Sequence, residues 1–241
     1  MGLWVDFSMN KLLTRGGIEI IAVFIGISGG LWSEKQIELK KTLKAEKIAL
    51  RSIHDEFVSD STSLSSIVNS IENEQNNIQN LLKHISNDTM LSDEKLNALI
   101  FDMIYFSYLT YDNSFYEGLV KGAGKKIIQE DSVSSAISSI YESTYKHLGN
   151  MFDIQKDLIA TRTYDAFIES GGYLDTKQFS ISESLELSQK AMFSDVLKNK
   201  KFVTQVSFHH DTNYFVLNQY KWALKKVKGA IGVIENYLER S

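Results

Sequence analysis

Residues 43 to 85 read LKAEKIALRSIHDEFVSDSTSLSSIVNSIENEQNNIQNLLKHI, and they decide the fold. From Leu43 an apolar residue recurs at every seventh position, through Leu50, Phe57, Leu64, Ile71, Ile78 and Ile85. Ile53, Ile67 and Leu81 fill companion positions three residues on, the stripe of a helix that buries one face. The other companion positions hold Glu46, Asp60 and Glu74. Carboxylates there weaken a two-stranded coiled coil, so the pattern favours a helix of a larger bundle, with a break expected near Ser59 to Ser63. The polar run Glu72 to Asn80 also argues against one unbroken helix.

Composition agrees with an all-α chain. The 241 residues include no proline, which favours long uninterrupted helices because proline breaks helix interiors. They include no cysteine, which removes disulfides, thiolate metal sites and cysteine nucleophiles. With 26 Lys and Arg against 30 Asp and Glu, and no basic stripe, the chain lacks the surface that nucleic acid requires.

Upstream, Gly16 to Trp32 read GGIEIIAVFIGISGGLW, apolar apart from Glu19. At about 1.5 Å per residue this run covers part of a roughly 30 Å hydrocarbon layer. Leu12 and Leu13 extend it into a transmembrane helix, with Lys11 and Arg15 snorkelling and Trp4 and Trp32 as interface anchors. The rival is a cleaved signal peptide, with Ser28, Gly29 and Gly30 as the small-residue site; the direct run into Trp32-Ser33-Glu34-Lys35 and a helix favours an anchor. Gly26 and Gly30 have the small-x-x-x-small spacing that lets membrane helices pack, although glycine is common in membrane helices without any partner. Glu19 reads as an interfacial carboxylate beside Arg15 or, alternatively, as a polar contact inside an oligomer.

Downstream, a turn at His84 to Asp93 precedes a helix capped by Ser92. Its body, Leu96 to Tyr111, is apolar enough to be the central core helix. Gly118 to Gly124 marks a turn, and Val133, Ile137, Ile140, Tyr141, Tyr145 and Leu148 then take helical spacing. Gly149 is expected to bend this helix, which continues from Met151 to Ile168, and Gly171-Gly172 to end it. A loop is expected over 173–184. The next helix, capped by Ser182 or Ser184, carries Leu185, Leu187, Met192, Val196 and Leu197. Lys201 to Phe208 alternates like a strand, but without a partner strand for its hydrogen bonds. Leu217, Tyr220, Leu224, Val227, Ile231, Ile234 and Leu238 form a last helix that closes the bundle.

Chemistry is sparse. His209-His210-Asp211 holds metal-ligand residue types, but neighbours on a helix point about 100° apart, so the cluster reads as a polar helix face or helix start. His54, His84 and His147 read as bundle-surface residues. Gly118, Gly122, Gly124, Lys125 and Lys126 echo a phosphate loop, yet lack its hydroxyl and its strand, and read as a flexible turn. The aromatic residues Phe101, Tyr105, Phe106, Tyr108, Tyr111, Phe115 and Tyr116 read as core before pocket. No catalytic, cofactor-binding or metal-ligating residue is assigned, and the balance leans away from an enzyme.

The anchor Glu19-Ile20-Ile21-Ala22-Val23-Phe24-Ile25-Gly26-Ile27, followed by Trp32-Ser33-Glu34, resembles an uncharacterised family of small single-pass membrane proteins of Bacteroidetes-type bacteria. That family opens with Gly-Glu-Ile, Ile-Gly-Ile and Trp-x-Glu elements. Asn113 to Leu119, Gly124, Ile128, Tyr141 and Tyr145 are similar to its middle segment. Here Ile18 separates Gly17 from Glu19, and Ile27 to Trp32 is about a helical turn shorter. The resemblance implies an anchor plus a helical domain and brings no activity.

The expected organisation is therefore an N-terminal tail and transmembrane anchor over 1–33 and an antiparallel helical bundle over 34–241, with the anchor continuing into a long helix. The expected role is a membrane-anchored interaction module, an adaptor, accessory subunit or sensor of a bacterial inner-membrane complex. The alternative is an oligomerising membrane effector or pore assembled through the glycine-rich anchor. Partners are then the lipid bilayer, a membrane protein and a second copy of the chain. Lys35, Lys40, Lys41, Lys44, Lys47 and Arg51 favour a cytoplasmic bundle by the positive-inside rule, whereas the short basic tail favours an exported, periplasmic one, the orientation preferred here.

Overall fold

The same stripe that marks residues 43–85 keeps its helix going far beyond them. In the computed structural model, which describes residues 6–103, 108–111, 113–122, 127–172 and 195–240, helix α1 runs unbroken over Asp6–Ile85. Its 80 residues span about 120 Å. The break expected at Ser59 to Ser63 is absent. Ser61 and Thr62 hydroxyls donate back to the Val58 carbonyl, and Ser65 to that of Ser61, so these side chains satisfy themselves on the helix.

Two short helices follow. In α2 (Asp93–Asp102) Ser92 accepts the Lys95 N–H at 3.3 Å, the expected cap. Leu96, Leu99, Ile100 and Met103 are buried. The helix stops at Asp102, however, and does not reach Tyr111. Tyr108 and Tyr111 lie on non-helical backbone and place their rings against Phe152 and Tyr145, so tertiary packing overrides local propensity. Helix α3 (Ser114–Gly122) carries Gly118 in its body, where a turn is expected from the sequence, and has Gly122 as its last residue; Gly124, Lys125 and Lys126 lie outside the described residues.

Residues 131–169 form one helical rod, the middle helix. It comprises α4 (Asp131–Ser138), a π segment (Ser139–Thr144), α5 (Tyr145–Lys156), a second π segment (Asp157–Thr163) and α6 (Tyr164–Glu169). Gly149 sits inside α5 and interrupts nothing; the irregularities are the two π segments, each accommodating an extra residue in the turn. The rod ends as expected at Gly171-Gly172. Gly171 adopts φ 92°, its N–H donates to the Ile168 carbonyl, and that of Gly172 to Phe167, a Schellman closure. The loop over 173–184 and Leu185, Leu187 and Met192 lie outside the described residues.

Helix α7 (Lys200–Arg240) absorbs the segment that alternated like a strand. Phe202 and Val206, four apart, fit either period, but a period of two would put Phe208 on their face, and it is exposed, as helical spacing requires. Among the described residues there is no strand. Helix α7 runs antiparallel to α1, as the His54–Glu235 and Glu72–Lys221 pairs fix, while the middle helix runs parallel to α1. The core of this three-helix arrangement falls into two apolar clusters. One holds Leu50 to Ile71 of α1, Val133 to Met151 and Val216 to Ile234; the other holds Ile78, Leu81, the α2 face, Phe167, Phe202 and Val206.

Beyond the bundle, α1 is bare. From 24 to 45 every described side chain is exposed save the half-buried Gln36. Phe24 is 70% and Trp32 67% exposed. Among the described residues no helix is long and apolar enough to cross a membrane. The side chains of residues 16–23, the first half of the apolar run, lie outside the described set.

Candidate functional site

The acids that interrupted the stripe of α1 turn out to be its most specific contacts. Glu46, Asp60 and Glu74 are all buried, fourteen residues apart on the core-facing seam. Each meets a different element. Glu46 Oε1 accepts the Gln129 backbone N–H at 2.7 Å. Asp60 accepts the Tyr145 hydroxyl of the middle helix. Glu74 Oε1 lies 3.0 Å from His209 Nε2 of α7. That last pair is close enough for charge attraction, yet the groups are not aligned as a hydrogen bond.

Around Asp60 the core is aromatic. Tyr116 stacks on Tyr141 with ring centroids 4.4 Å apart, and Tyr141 and Tyr145 meet edge to face at 5.6 Å. Phe57 of α1 touches both. The Tyr116 hydroxyl donates to Glu142 at 2.7 Å. Burial pushes the Asp60 carboxyl above its usual range, against the Tyr145 hydrogen bond that lowers it. Burial also drives the Tyr141 and Tyr145 hydroxyls strongly upward, and the Glu56 and Asp60 carboxylates add to it. Both phenols therefore stay protonated donors.

Glu74 and His209 sit between the two apolar clusters. Asn213, one turn beyond His209, and Gln155 and Thr163 of the middle helix are likewise wholly buried. The offset set by Glu46–Gln129 and Asp60–Tyr145 brings the Gln155 to Thr163 region level with Glu74. A polar layer thus divides the core, with the second π segment running alongside it. The side-chain polar atoms of Gln155, Thr163 and Asn213 have no hydrogen-bond partner among the described residues, and the close approach in this layer is that of Glu74 to His209. No group of three potential metal ligands occurs among the described residues.

His209 is therefore not on a polar face, as its sequence neighbours suggested; only His210 and Asp211 are, paired at 3.2 Å. The signal was present in the last helix. Stepping back from Tyr220 by alternating threes and fours reaches Val216, Asn213, His209, Val206 and Phe202. His54 bridges Asp55 and Glu235, His147 meets Gln219 at 2.9 Å, and His84 accepts the Leu91 N–H, so all three join elements at the bundle's margin. Of the aromatic group, Tyr116 is core, Tyr111 half-buried, and Tyr108 and Phe115 exposed.

Of the residues read as the membrane site, Gly26 and Gly30 lie on the bare part of α1, with nothing within 4 Å of where a Cβ would stand. Trp32 is beside them. Glu19 belongs to α1, but its side chain, like all of Trp4, lies outside the described residues. Gly26, Gly30 and Trp32 stand on the exposed part of α1, apart from the buried polar layer. Compared with known proteins, the chain matches no family model, no curated protein and no solved structure.

Proposed function

We propose that the chain is a membrane-anchored helical interaction module, an adaptor, accessory subunit or sensor of a bacterial inner-membrane complex. The observation that supports it is the bare end of α1. Phe24, Ile27, Leu31 and Trp32 are exposed on a helix that continues without a joint into the bundle. Leaving such side chains in water forgoes roughly 1.5–3 kcal/mol apiece, so they call for a cover that the bundle does not provide. Lipid is that cover. The charged helix from Glu34 to Glu46 then acts as a stalk of about 20 Å. The resemblance to the small single-pass Bacteroidetes-type proteins supports the same architecture.

Alkaline carbonate extraction of membranes tests the anchor: the full chain stays in the pellet, and its release would end this reading. Orientation follows from Ser241→Cys, in a chain otherwise free of cysteine. Labelling by an impermeant reagent places the bundle outside the inner membrane, the orientation we favour; protection reverses it. A second reading, oligomerisation through the anchor, draws on the open space around Gly26 and Gly30. It requires Gly26→Leu to abolish crosslinked oligomers in membranes.

A further inference from the structure

Three long helices enclose three seams, each crossed by polar or aromatic contacts, and one of them keeps hollows beside its crossing. Between α1 and the middle helix, Tyr111 and Tyr116 form a roof: Tyr116 stacks on Tyr141 and Tyr111 lies tilted against Tyr145, and the rings of Tyr141 and Tyr145 reach Phe57. Between α1 and α7, His54–Glu235 and Glu72–Lys221 cross the seam. The third seam, between the middle helix and α7, carries a second apolar stripe on α7. Phe208, Phe215, Trp222 and Gly229 recur every seven residues, and the three aromatics are 49%, 48% and 39% exposed. A heptad stripe beside the one already buried is the pattern of a helix that packs against two neighbours.

Two hollows lie along this stripe. One, of about 520 Å³, has Trp222 as a wall and small residues, Ala136, Gly229 and Ala230, in its lining. The other, of about 230 Å³, lies between Phe208 and Ile154. His147 spans the stretch between them, bonded to Gln219 and edge-on to Trp222. The ends differ in charge. Lys225 and Lys226 line the larger hollow with no acid among its lining residues, Lys226 with its ammonium 5.8 Å from the centroid of the Trp222 ring. At the smaller hollow Arg162 is neutralised by Asp157.

We propose that this seam docks an amphipathic helix of another protein, one with large apolar residues at heptad spacing and acidic residues clustered at the end that meets Lys225 and Lys226. Such a helix would complete a four-helix bundle, its length about 30 Å from Phe208 to Gly229. Small residues in the lining admit a bulky anchor side chain, and the paired lysines fix polarity. This deepens the interaction-module reading and rests on it. It does not depend on the anchor, so the two fail separately.

The test uses the full chain with Trp4→Phe and Trp32→Phe, leaving Trp222 as the reporter. It is held in lipid nanodiscs, or in buffer should carbonate release it. The probe is a synthetic 24-residue helix with leucine at the first and fourth heptad positions and glutamate flanking one end; its twin carries lysine in place of glutamate. The acidic probe should shift Trp222 emission saturably and bind at least tenfold tighter than the basic one. Gly229→Leu, which fills the hollow where a Cβ meets nothing within 4 Å, should weaken it at least tenfold with the melting curve unchanged. Lys225→Glu with Lys226→Glu should do the same. No binding, equal binding of the two probes, or indifference to these variants overturns the proposal. So does sedimentation showing a dimer that Gly229→Leu dissociates, since the occupant is then a second copy.

Discussion

Asp60 answers two opposed demands: it must lose water to enter the core, and it must accept the Tyr145 hydroxyl. Burial wins, and its carboxyl is raised above the usual range. A folded value above the unfolded one means this contribution is fully present below about pH 3.9 and is lost as pH rises through the folded value. Asp60→Asn keeps an acceptor for Tyr145 and removes the ionisation. The variant should melt above the parent at pH 7, with the gap closing near pH 4; a gap equal at both pH values would contradict the assignment. Glu74 and His209 give a second residue-scale expectation. His209→Leu alone strands a buried carboxylate and should cost about 3–5 kcal/mol in denaturant unfolding. Glu74→Leu with His209→Leu should recover most of that loss, and a double variant as weak as the single would show that the pair does not act as a unit.

At the scale of elements, the glycines divide sharply. A Cβ at Gly172 would stand 2.6 Å from the ring of the buried Phe167, so Gly172→Ala should lose about 1–3 kcal/mol. Gly149 lies inside α5 with open space around it, and Gly149→Ala should gain about 0.5–1 kcal/mol. Chemical denaturation of both reads the contrast. Much of this level was legible from spacing: the stripe of α1, the Ser92 cap, the Gly171-Gly172 stop and the last helix all follow from local rules. The errors share a cause. Lys201 to Phe208 and the 96–111 segment have patterns that more than one structure satisfies, and only their tertiary neighbours choose. The π segments leave no mark that periodicity detects. The acids of α1 were legible as exceptions to the stripe, but not their partners, which lie far away in sequence. His209 was hidden by the strand reading that cut α7 short.

For the whole molecule, the buried seam of α1 begins at Glu46, and the described side chains from 24 to 45 are exposed apart from the half-buried Gln36. Removing residues 1–33 should therefore change unfolding of the bundle by less than about 0.5 kcal/mol, while retention in the membrane pellet disappears. A large loss of stability would mean that the N-terminal part of α1 packs on the bundle after all. The continuity of α1 has a mechanical corollary. A helix without a hinge is a drive shaft: twisting or pushing it near Trp32 turns or displaces the seam that carries Glu46, Asp60 and Glu74 by the same amount. The three acids, engaged with three different elements, are the teeth through which that motion would reach the rest of the bundle.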